Sequence, residues 1–346
     1  MSTLSQQKTA DIIGFEETVV LGLQQEQSLL SPRVQTKSYH GDKIANLQVF
    51  SPTEVYKVDS DVTLPETRYN ATKQERRWIS FETATWAEVV NPFIHLRQSI
   101  DPFISYAKSA IFAFKRYQDS VIMEGMLGKN MTGRDGGTPE YFPKSNVLRL
   151  PPISATASAK TALKDTLAGL ILDGIVWLAE KGVDIDRERI ILAVPPTVYR
   201  GLFDIEEVVN RDYVGQANLD AGRVRHLAGV EILLYKKVLG DPQFPKHITI
   251  DGTDTEKNYY CPMWCASSVQ FGMWESLNTT YDRLPTHNNA QQILVEASMG
   301  ASRLEPNKIV CLEVPKSTET IARIKEEASK ATAPVHKTLS EVARAK

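Results

Sequence analysis

The side chains most often used for catalysis and metal binding are scattered along this chain rather than grouped. Its six histidines lie at positions 40, 95, 226, 247, 287 and 336, and none forms an H-E-x-x-H pair or stands beside another at ligand spacing. Cys261 and Cys265 are four positions apart, but no second pair with zinc spacing follows, and Cys311 stands alone. We predict three small core residues, no metal site and a reducing compartment.

A glycine-rich run at residues 133–137 (GRDGG) is the nearest approach to a phosphate-binding loop. Its spacing differs from G-x-x-x-x-G-K-[ST], and it follows a predicted helix rather than a strand. We therefore predict a solvent loop or a short hairpin there, with no bound cofactor. The sequence also lacks G-x-S-x-G and the protein-kinase motifs. Without a catalytic constellation we predict a protein that is not an enzyme.

Arg76, Arg77 and Trp78 form a small basic and aromatic cluster. Such a cluster could contact nucleic acid through phosphates and base stacking. Three residues on one strand are weak evidence for this, and a solvated or partner-facing strand is the alternative interpretation.

Length and charge limit the classes of protein to consider. With 346 residues, the chain can bury a large core in two domains or one large one. Its formal net charge of −2 gives no global basic signal for nucleic acid. A near-neutral chain can pack many copies of itself side by side. No apolar run approaches a membrane span, and residues 1–10 lack the apolar segment of a signal peptide.

The strongest element signal is a long helix over residues 101–128. Asp101 is a good N-cap and Pro102 suits the first helical position. Apolar residues recur on one face at helical spacing: Ile104, Ala107, Ile111, Phe114, Val121 and Ile122. At 1.5 Å per residue such a helix is about 40 Å long. We expect other elements to lie along it as along a spine.

The segment before this helix predicts an arm followed by a long hairpin. Residues 14–30 have a short amphipathic pattern that Pro32 ends, and residues 33–39 look extended. Residues 43–50 and 68–81 predict two extended strands joined by a polar tip. An isolated hairpin is marginal in water, so this one needs another surface to lie on. Residues 82–100 are apolar enough to be core.

The segment after the helix predicts a compact α/β unit and then returning strands. A helix over 158–182 precedes an apolar run at 190–194, which is typical of a strand buried on both faces. A short helix from Thr197 and a strand at 230–234 follow. Beyond them we predict a surface connection at 240–262, strands at 264–274, 291–299 and 308–314, and a turn at 300–306. Gly272 is a candidate bulge, and the residues after Pro315 are polar.

This order of elements resembles the major capsid proteins of tailed bacteriophages, particularly short-tailed phages. The Gly-Ala-Ser-Arg sequence at 300–303 before a terminal apolar strand is also similar. The resemblance implies an α+β fold, the tailed-phage and herpesvirus-type capsid fold. It divides the chain into an N-terminal arm (1–40), an extended β-hairpin loop (41–81), a peripheral domain (82–160 and 262–315, with the spine helix at 101–128), an α/β axial domain (161–261) and a C-terminal tail (316–346).

The implied function is a coat protein whose copies assemble into an icosahedral shell around packaged double-stranded DNA. The implied partners are the protein itself in hexamers and pentamers, a separate scaffolding protein, a portal, DNA held without sequence specificity, and a decoration protein, with no membrane. The implied location is the virion, after assembly in the host cytoplasm. Our candidates for inter-subunit contacts are Phe15, Lys57, Asp59, Asp61, Glu66, Arg68, Arg76 and Arg77.

Three alternatives remain open from the sequence. The first is a shell protein of the same fold that encloses a cargo enzyme instead of DNA. The second is a cytoplasmic two-domain α/β enzyme with an unrecognised site within residues 162–240. The third is a nucleic-acid-binding module that uses Arg76, Arg77 and Trp78.

Overall fold

The computed structural model describes residues 28–41, 43–50, 55–57, 67, 69–70, 74–90, 102–149, 159–202, 219–220, 223–239, 242, 244–245, 248–250, 253, 255–287 and 290–316. The helices are α1 (Pro102–Leu127), α2 (Ala159–Glu180) and α3 (Pro196–Leu202). In chain order the strands are β1 (Gln35–Ser38), β2 (Lys43–Phe50), β3 (Gln74–Ser80), β4 (Glu82–Val90), β5 (Asn130–Thr132), β6 (Thr138–Glu140), β7 (Val147–Leu148), β8 (Ile190–Val194), β9 (Leu219–Asp220), β10 (Arg223–Val224), β11 (His226–Leu227), β12 (Val230–Leu234), β13 (Asn258–Cys265), β14 (Val269–Leu284), β15 (Ala290–Arg303) and β16 (Ile309–Pro315).

These elements divide into two compact units. The hairpin unit comprises Met1–Phe142, His247–Ile250 and Ala266–Pro306. The α/β unit comprises Pro143–Lys246, Asp251–Cys265 and Asn307–Lys346.

The hairpin unit contains two four-stranded sheets and helix α1. One sheet has the order β1-β14-β15-β4, in which β14, β15 and β4 are antiparallel and β1 runs parallel to β14. The other has the order β2-β3-β5-β6, and its pairs are antiparallel throughout. The predicted spine helix is confirmed, because α1 spans Pro102–Leu127 and buries Ile111, Phe114 and Ile122 as the apolar periodicity requires.

The α/β unit is built on a six-stranded sheet in the order β11-β12-β8-β13-β16-β7. Strand β8 pairs parallel with β12 on one side and antiparallel with β13 on the other. All five of its residues are buried, which confirms the strand predicted at 190–194. Helix α2 contributes Leu167, Leu170, Ile171 and Leu178 to the core over this sheet. Gly182 ends the α2 segment at a φ of +85°, a conformation that suits glycine.

The predicted turn at residues 300–306 is wrong in its first half. Strand β15 continues through Gly300 to Arg303 and pairs with β14 as far as Val269. Gly300 suggested a turn, but a glycine inside a strand also marks a close approach of another backbone. Here the approaching backbone is that of Ser80.

Two other boundaries differ from the expected ones. The predicted connection at 240–262 is too long, since strand β13 already begins at Asn258. Pro262, the last residue of that predicted connection, lies within this strand opposite Cys311. Pro262 lies outside the ladder between β13 and β8, because that ladder starts at Met263. The strand predicted at 264–274 is two strands separated by a short turn at Ala266–Ser268. The bulge predicted at Gly272 is wrong, because Gly272 stays in register with Gly300 and the irregularity of β14 follows Met273.

The segment predicted as core at 82–100 is instead an edge strand where it is described. Trp86 is half-buried, but Val89 is 49% exposed, because β4 is the outermost strand of its sheet. Residues 91–100 lie outside the described residues. The strand pairing also differs from the expected grouping of 262–315 with the spine helix, since β16 pairs with β13 and β7 in the sheet of the α/β unit.

Candidate assembly surface

The predicted long hairpin has the expected paired strands. Strands β2 and β3 pair antiparallel from Lys43 opposite Ser80 to Phe50 opposite Gln74, with one irregularity after Leu47. Towards the tip, Val55 is 98% exposed and Tyr69 is 88% exposed. Apolar side chains so open to water favour a second surface that covers them.

A half-buried ion pair joins strand β3 of the hairpin to β6. Arg77 is only 2% exposed, and its Nη1 lies 2.8 Å from a carboxylate oxygen of Glu140 on β6. Next to it, the indole Nε1 of Trp78 donates a hydrogen bond of 2.8 Å to the carbonyl of Gly133. The structure therefore buries Arg77 within its own unit, although Arg77 is one of the candidate inter-subunit contacts from the sequence. The nucleic-acid hypothesis also loses support, because the Arg77 guanidinium and the Trp78 indole are engaged within the unit.

The glycine-rich run at 133–137 forms the turn between β5 and β6, as the short-hairpin interpretation predicted. Gly133 and Gly136 have positive φ angles of 91° and 70°. A Cβ atom at Gly136 would lie 2.9 Å from Cγ of Trp78, so the turn can close on the indole only without a side chain there.

Arg303 joins the end of β15 to the end of the spine helix. Its side chain is fully buried, and its Nη1 donates to the carbonyls of Met126 at 2.8 Å and Gly128 at 3.4 Å. These carbonyls belong to the last turn of α1 and the residue after it, where unsatisfied oxygens give the helix end its partial negative charge. The ring of Phe142 lies 5.4 Å from the guanidinium carbon. This buried cation therefore lies against carbonyl oxygens and an aromatic face.

Two glycines allow backbones to meet at this root. A Cβ atom at Gly300 would lie 2.0 Å from the carbonyl oxygen of Ser80, at the end of β3. A Cβ atom at Gly125 would lie 2.6 Å from the backbone of Ala301. The side-chain amide of Asn130 donates to the Gly125 carbonyl at 2.9 Å. Hairpin, spine helix and β15 therefore meet at one dense point, which we call the hairpin root and define as Ser80, Gly125, Asn130, Gly300 and Arg303.

A second buried polar contact fixes the N-terminal segment to the spine. The carboxylate of Asp119 on α1 accepts hydrogen bonds from the backbone N–H of Leu30 at 3.0 Å and of Leu29 at 3.4 Å. Asp119 is 7% exposed and Leu30 is fully buried. The contact fixes the chain on the helix at a point within the predicted N-terminal arm (1–40).

The other predicted contact residues separate into two groups. Lys57 and Arg76 are described and exposed. Arg76 borders a shallow cavity of about 550 Å³ that Glu75, Arg134 and Glu140 also line. Phe15, Asp59, Asp61, Glu66 and Arg68 lie outside the described residues.

The cysteines are core residues, as predicted, since all three are buried and free. Burial raises the pKa of the Cys261 thiol far above its usual range, and the neighbouring Cys311 adds to this shift. In the described part of the chain, no cluster of three histidine, cysteine or acidic residues has a geometry that could hold a metal ion. No helix there is long and apolar enough to cross a membrane.

Sequence reasoning missed the residues that fix the hairpin and the arm. Asp119, Asn130 and Glu140 have no signal in the sequence, because their partners are backbone groups or, for Glu140, a side chain 63 positions away. The single available signal was the Gly-Ala-Ser-Arg run at 300–303, whose glycine and arginine both act at the hairpin root.

Comparison with known proteins agrees with this architecture. The family model for phage capsid protein matches residues 8–314. The capsid structure of cyanophage P-SCSP1u is similar with a TM-score of 0.58 and 15% identity, over 82% of this chain and 87% of that chain. The mature capsid of bacteriophage PhiM1 is similar with a TM-score of 0.60 and 12% identity, over 84% of this chain and 88% of that chain. A Mycobacterium phage Che8 structure has a TM-score of 0.54 and 13% identity, over 83% and 91% of the two chains.

No curated protein matches the sequence. The similar structures share too little sequence to show more than the fold, so the family rests on the model match over residues 8–314. Neither result supports the hypothesis of a two-domain enzyme. This chain belongs to the phage capsid protein family and has the fold of tailed-phage capsid subunits.

Proposed function

We propose that this chain is the major capsid protein of a tailed phage, and that its copies form hexamers and pentamers of a closed icosahedral shell around packaged double-stranded DNA. Closed symmetry repeats the same modest contacts many times, which makes the complete shell stable. Obligate interfaces of this kind can bury over about 2,000 Å² in total.

The observation that carries this proposal is the contrast between the two ends of the hairpin. At the hairpin root, Asn130, Gly300 and Arg303 are almost fully buried within their own chain. Towards its tip, Val55 and Tyr69 are almost fully exposed. A hairpin that is fixed at one end and exposes apolar side chains towards the other is suited to docking on a neighbouring subunit. Lys57 and Arg76 are the described residues that we assign to such contacts, together with Phe15, Asp59, Asp61, Glu66 and Arg68 from the sequence.

The two compact units fit the two domains of such a coat protein. We assign the hairpin unit, with its spine helix α1, to the peripheral domain. We assign the α/β unit to the axial domain, which packs around the five-fold and six-fold positions. The Asp119 contact supports an N-terminal arm that leaves the spine at a fixed point to reach a neighbour.

The remaining partners follow from the task of building and filling a shell. A scaffolding protein, a portal and a decoration protein belong to this proposal, as does assembly in the host cytoplasm. Contact with the packaged DNA need only be electrostatic and independent of sequence. A net charge of −2 is compatible with such contacts only through local basic residues.

Negative-stain electron microscopy tests the proposal. The full chain is expressed alone and then together with the genes that neighbour its own. We expect closed shells, tubes or capsomer rings in at least one of the two preparations, and the particle diameter would give the copy number. A concentration-independent monomer or dimer in both preparations would contradict the proposal.

A further inference from the structure

A surface that is both apolar and basic runs along the outer side of the spine helix. Phe112, Lys115 and Arg116 lie close together on α1, and Phe112 is 47% exposed. The Lys115 ammonium lies 5.1 Å from the centre of the Phe112 ring, so a cation stands beside the exposed aromatic side chain. Residues three or four positions apart share a helix face, which places Asp119 on the same face one turn further along.

The chain segment before β1 extends this surface. The Asp119 carboxylate accepts the N–H groups of Leu29 and Leu30, so the segment touches α1 at that turn. The Leu29 side chain is 48% exposed, and Nη1 of Arg33 donates to the Leu29 carbonyl at 2.7 Å. Two apolar side chains and three cations therefore form one continuous surface. We call it the basic stripe and define it as Leu29, Arg33, Phe112, Lys115 and Arg116.

Cations outnumber carboxylates around the basic stripe. The acidic residues of α1 are Asp119 and Glu124. Asp119 is buried beneath the N-terminal segment, at 7% exposure. Glu124 lies eight positions after Arg116, about 12 Å further along the helix axis. The charge that the basic stripe presents is therefore positive, and it borders two large apolar side chains.

We propose that the basic stripe binds an acidic amphipathic helix of a partner protein, which lies along α1. Leu29 is bound at Asp119, seven positions after Phe112, which is about 10 Å along the axis. A partner helix can therefore place apolar residues seven positions apart on Phe112 and Leu29, with carboxylates on its flanks opposite the cations. The proposal adds a partner surface to the proposed function, and it does not depend on the formation of a shell.

The apolar side chains favour a peptide over nucleic acid as the occupant. Phosphates of duplex DNA would pair with the cations but would leave Leu29 without an apolar partner. Leu29 and Phe112 each expose about half of their surface, and burying them is favourable only against other apolar groups. An amphipathic helix covers both side chains and neutralises the cations at the same time.

Helix α2 provides an internal comparison in which the charge is reversed. It also exposes apolar side chains one turn apart, Leu172 at 52% and Val176 at 55%. The charged residues beside them are Asp173 and Glu180, both exposed and both acidic. An acidic helix should therefore be repelled from α2 and attracted to α1, because like charges across an interface oppose binding.

Fluorescence anisotropy with a synthetic helix tests the proposal. The probe is a labelled peptide of about 18 residues, long enough to form a helix, with leucines on one face and glutamates on both flanks. A second peptide has lysines in place of the glutamates. Each is titrated with soluble full-length subunits in about 0.1 M NaCl. We expect the acidic peptide to bind at least about tenfold more tightly than the basic one.

Variants of the basic stripe separate its charge from its apolar contact. Lys115→Glu/Arg116→Glu should reverse the preference, so that the basic peptide binds more tightly than the acidic one. Phe112→Gln keeps the cations and removes an apolar anchor, and it should weaken binding of the acidic peptide about tenfold. Arg200→Glu/Lys236→Glu reverses two exposed cations of the α/β unit and is the matched control, which should bind like the wild type.

Hydrogen exchange locates the bound peptide. The acidic peptide should slow exchange at residues 28–34 and 109–119 and leave residues 168–180 of α2 unchanged. Protection of α2 instead would overturn the proposal.

Three binding results would also overturn it. These are no binding of the acidic peptide to the wild-type chain, equal binding of both peptides, and unchanged binding by Lys115→Glu/Arg116→Glu. Duplex DNA that binds the basic stripe when the acidic peptide does not would overturn it in favour of nucleic acid. Because these measurements use unassembled subunits, their outcome is independent of the microscopy that tests the proposed function.

Discussion

The two compact units of this protein are stabilised in different ways. The α/β unit has a continuous apolar core, in which β8 is buried on both faces. Its charged residues are half-buried or exposed wherever their burial is described, as in the ion pair of Arg187 with Asp184. The hairpin unit instead buries Arg77, Asp119 and Arg303. Those charged groups hold the ends of the hairpin, the arm and the spine helix. The α/β unit therefore completes its own core, whereas the hairpin unit uses buried charged residues to fix its hairpin, arm and spine helix.

The largest effect should come from a cavity in the α/β core. Leu192 is 1% exposed at the centre of β8, so Leu192→Ala should lower the free energy of unfolding by about 2–5 kcal/mol. Leu172→Ala, at a position 52% exposed on α2, is the matched control and should cost about 1 kcal/mol or less. Hydrogen exchange of unassembled subunits should rise at 190–194 and 230–234. An equal rise at 74–90 would break the comparison, because the units would then unfold together.

A slightly smaller effect should follow from crowding the hairpin root. Gly300→Ala places a methyl group where the Ser80 carbonyl oxygen lies, and it should destabilise the unit by about 3 kcal/mol. Gly169→Ala is the matched control: its new Cβ meets nothing within 4 Å, and alanine should stabilise helix α2 by about 1 kcal/mol. Exchange at residues 74–90 reports the effect. If the two substitutions behave alike, the close approach at the root has no energetic importance.

An intermediate effect is expected at the arm contact. Asp119→Ala leaves the buried N–H of Leu30 without its acceptor, at a cost of about 1–3 kcal/mol. Asp119→Asn keeps one acceptor oxygen and should cost less. Limited proteolysis checks the local consequence, since cleavage near residues 28–34 should accelerate in the alanine variant. Unchanged cleavage in both variants would show that Asp119 does not fix the arm.

The smallest effect should come from a surface ion pair of the α/β unit. Arg187 is 87% exposed and Asp184 56%, and Nε of Arg187 lies 3.5 Å from a carboxylate oxygen of Asp184. Exposed pairs contribute about 0–1 kcal/mol, so Arg187→Met should change the unfolding midpoint in urea very little. The remaining difference should vanish in about 1 M NaCl, where screening is nearly complete. A loss comparable with that of Leu192→Ala would show that charge also stabilises this unit.

Local patterns in the sequence predicted much of the fold. The apolar periodicity of residues 101–128 and the continuous apolar run at 190–194 gave α1 and β8 nearly to the residue. Such patterns can be recognised locally, because the spacing of apolar residues along a helix or a doubly buried strand reflects which of its faces are buried.

The failures share a non-local cause. Gly300 lies inside β15 where the Ser80 backbone approaches, and Pro262 is tolerated inside β13 because the ladder with β8 starts only at Met263. In both cases the neighbouring backbone is distant in sequence. Similarly, Arg77 and Arg76 have the same chemistry and adjacent positions, yet one is buried against Glu140 and the other is exposed. The alternation of a strand allows this difference, but only the placement of β5 and β6 decides which arginine faces inward.

Deleting residues 55–66 tests the central claim most directly, because it removes the polar tip predicted from the sequence and leaves the hairpin root intact. The variant and the wild-type chain are compared by electron microscopy, with circular dichroism and hydrogen exchange to establish that the subunit is folded. We predict a soluble, folded subunit that no longer forms shells under conditions in which the wild-type chain does. Normal shells from the deletion variant would contradict the assignment of the hairpin as the element that joins neighbouring subunits.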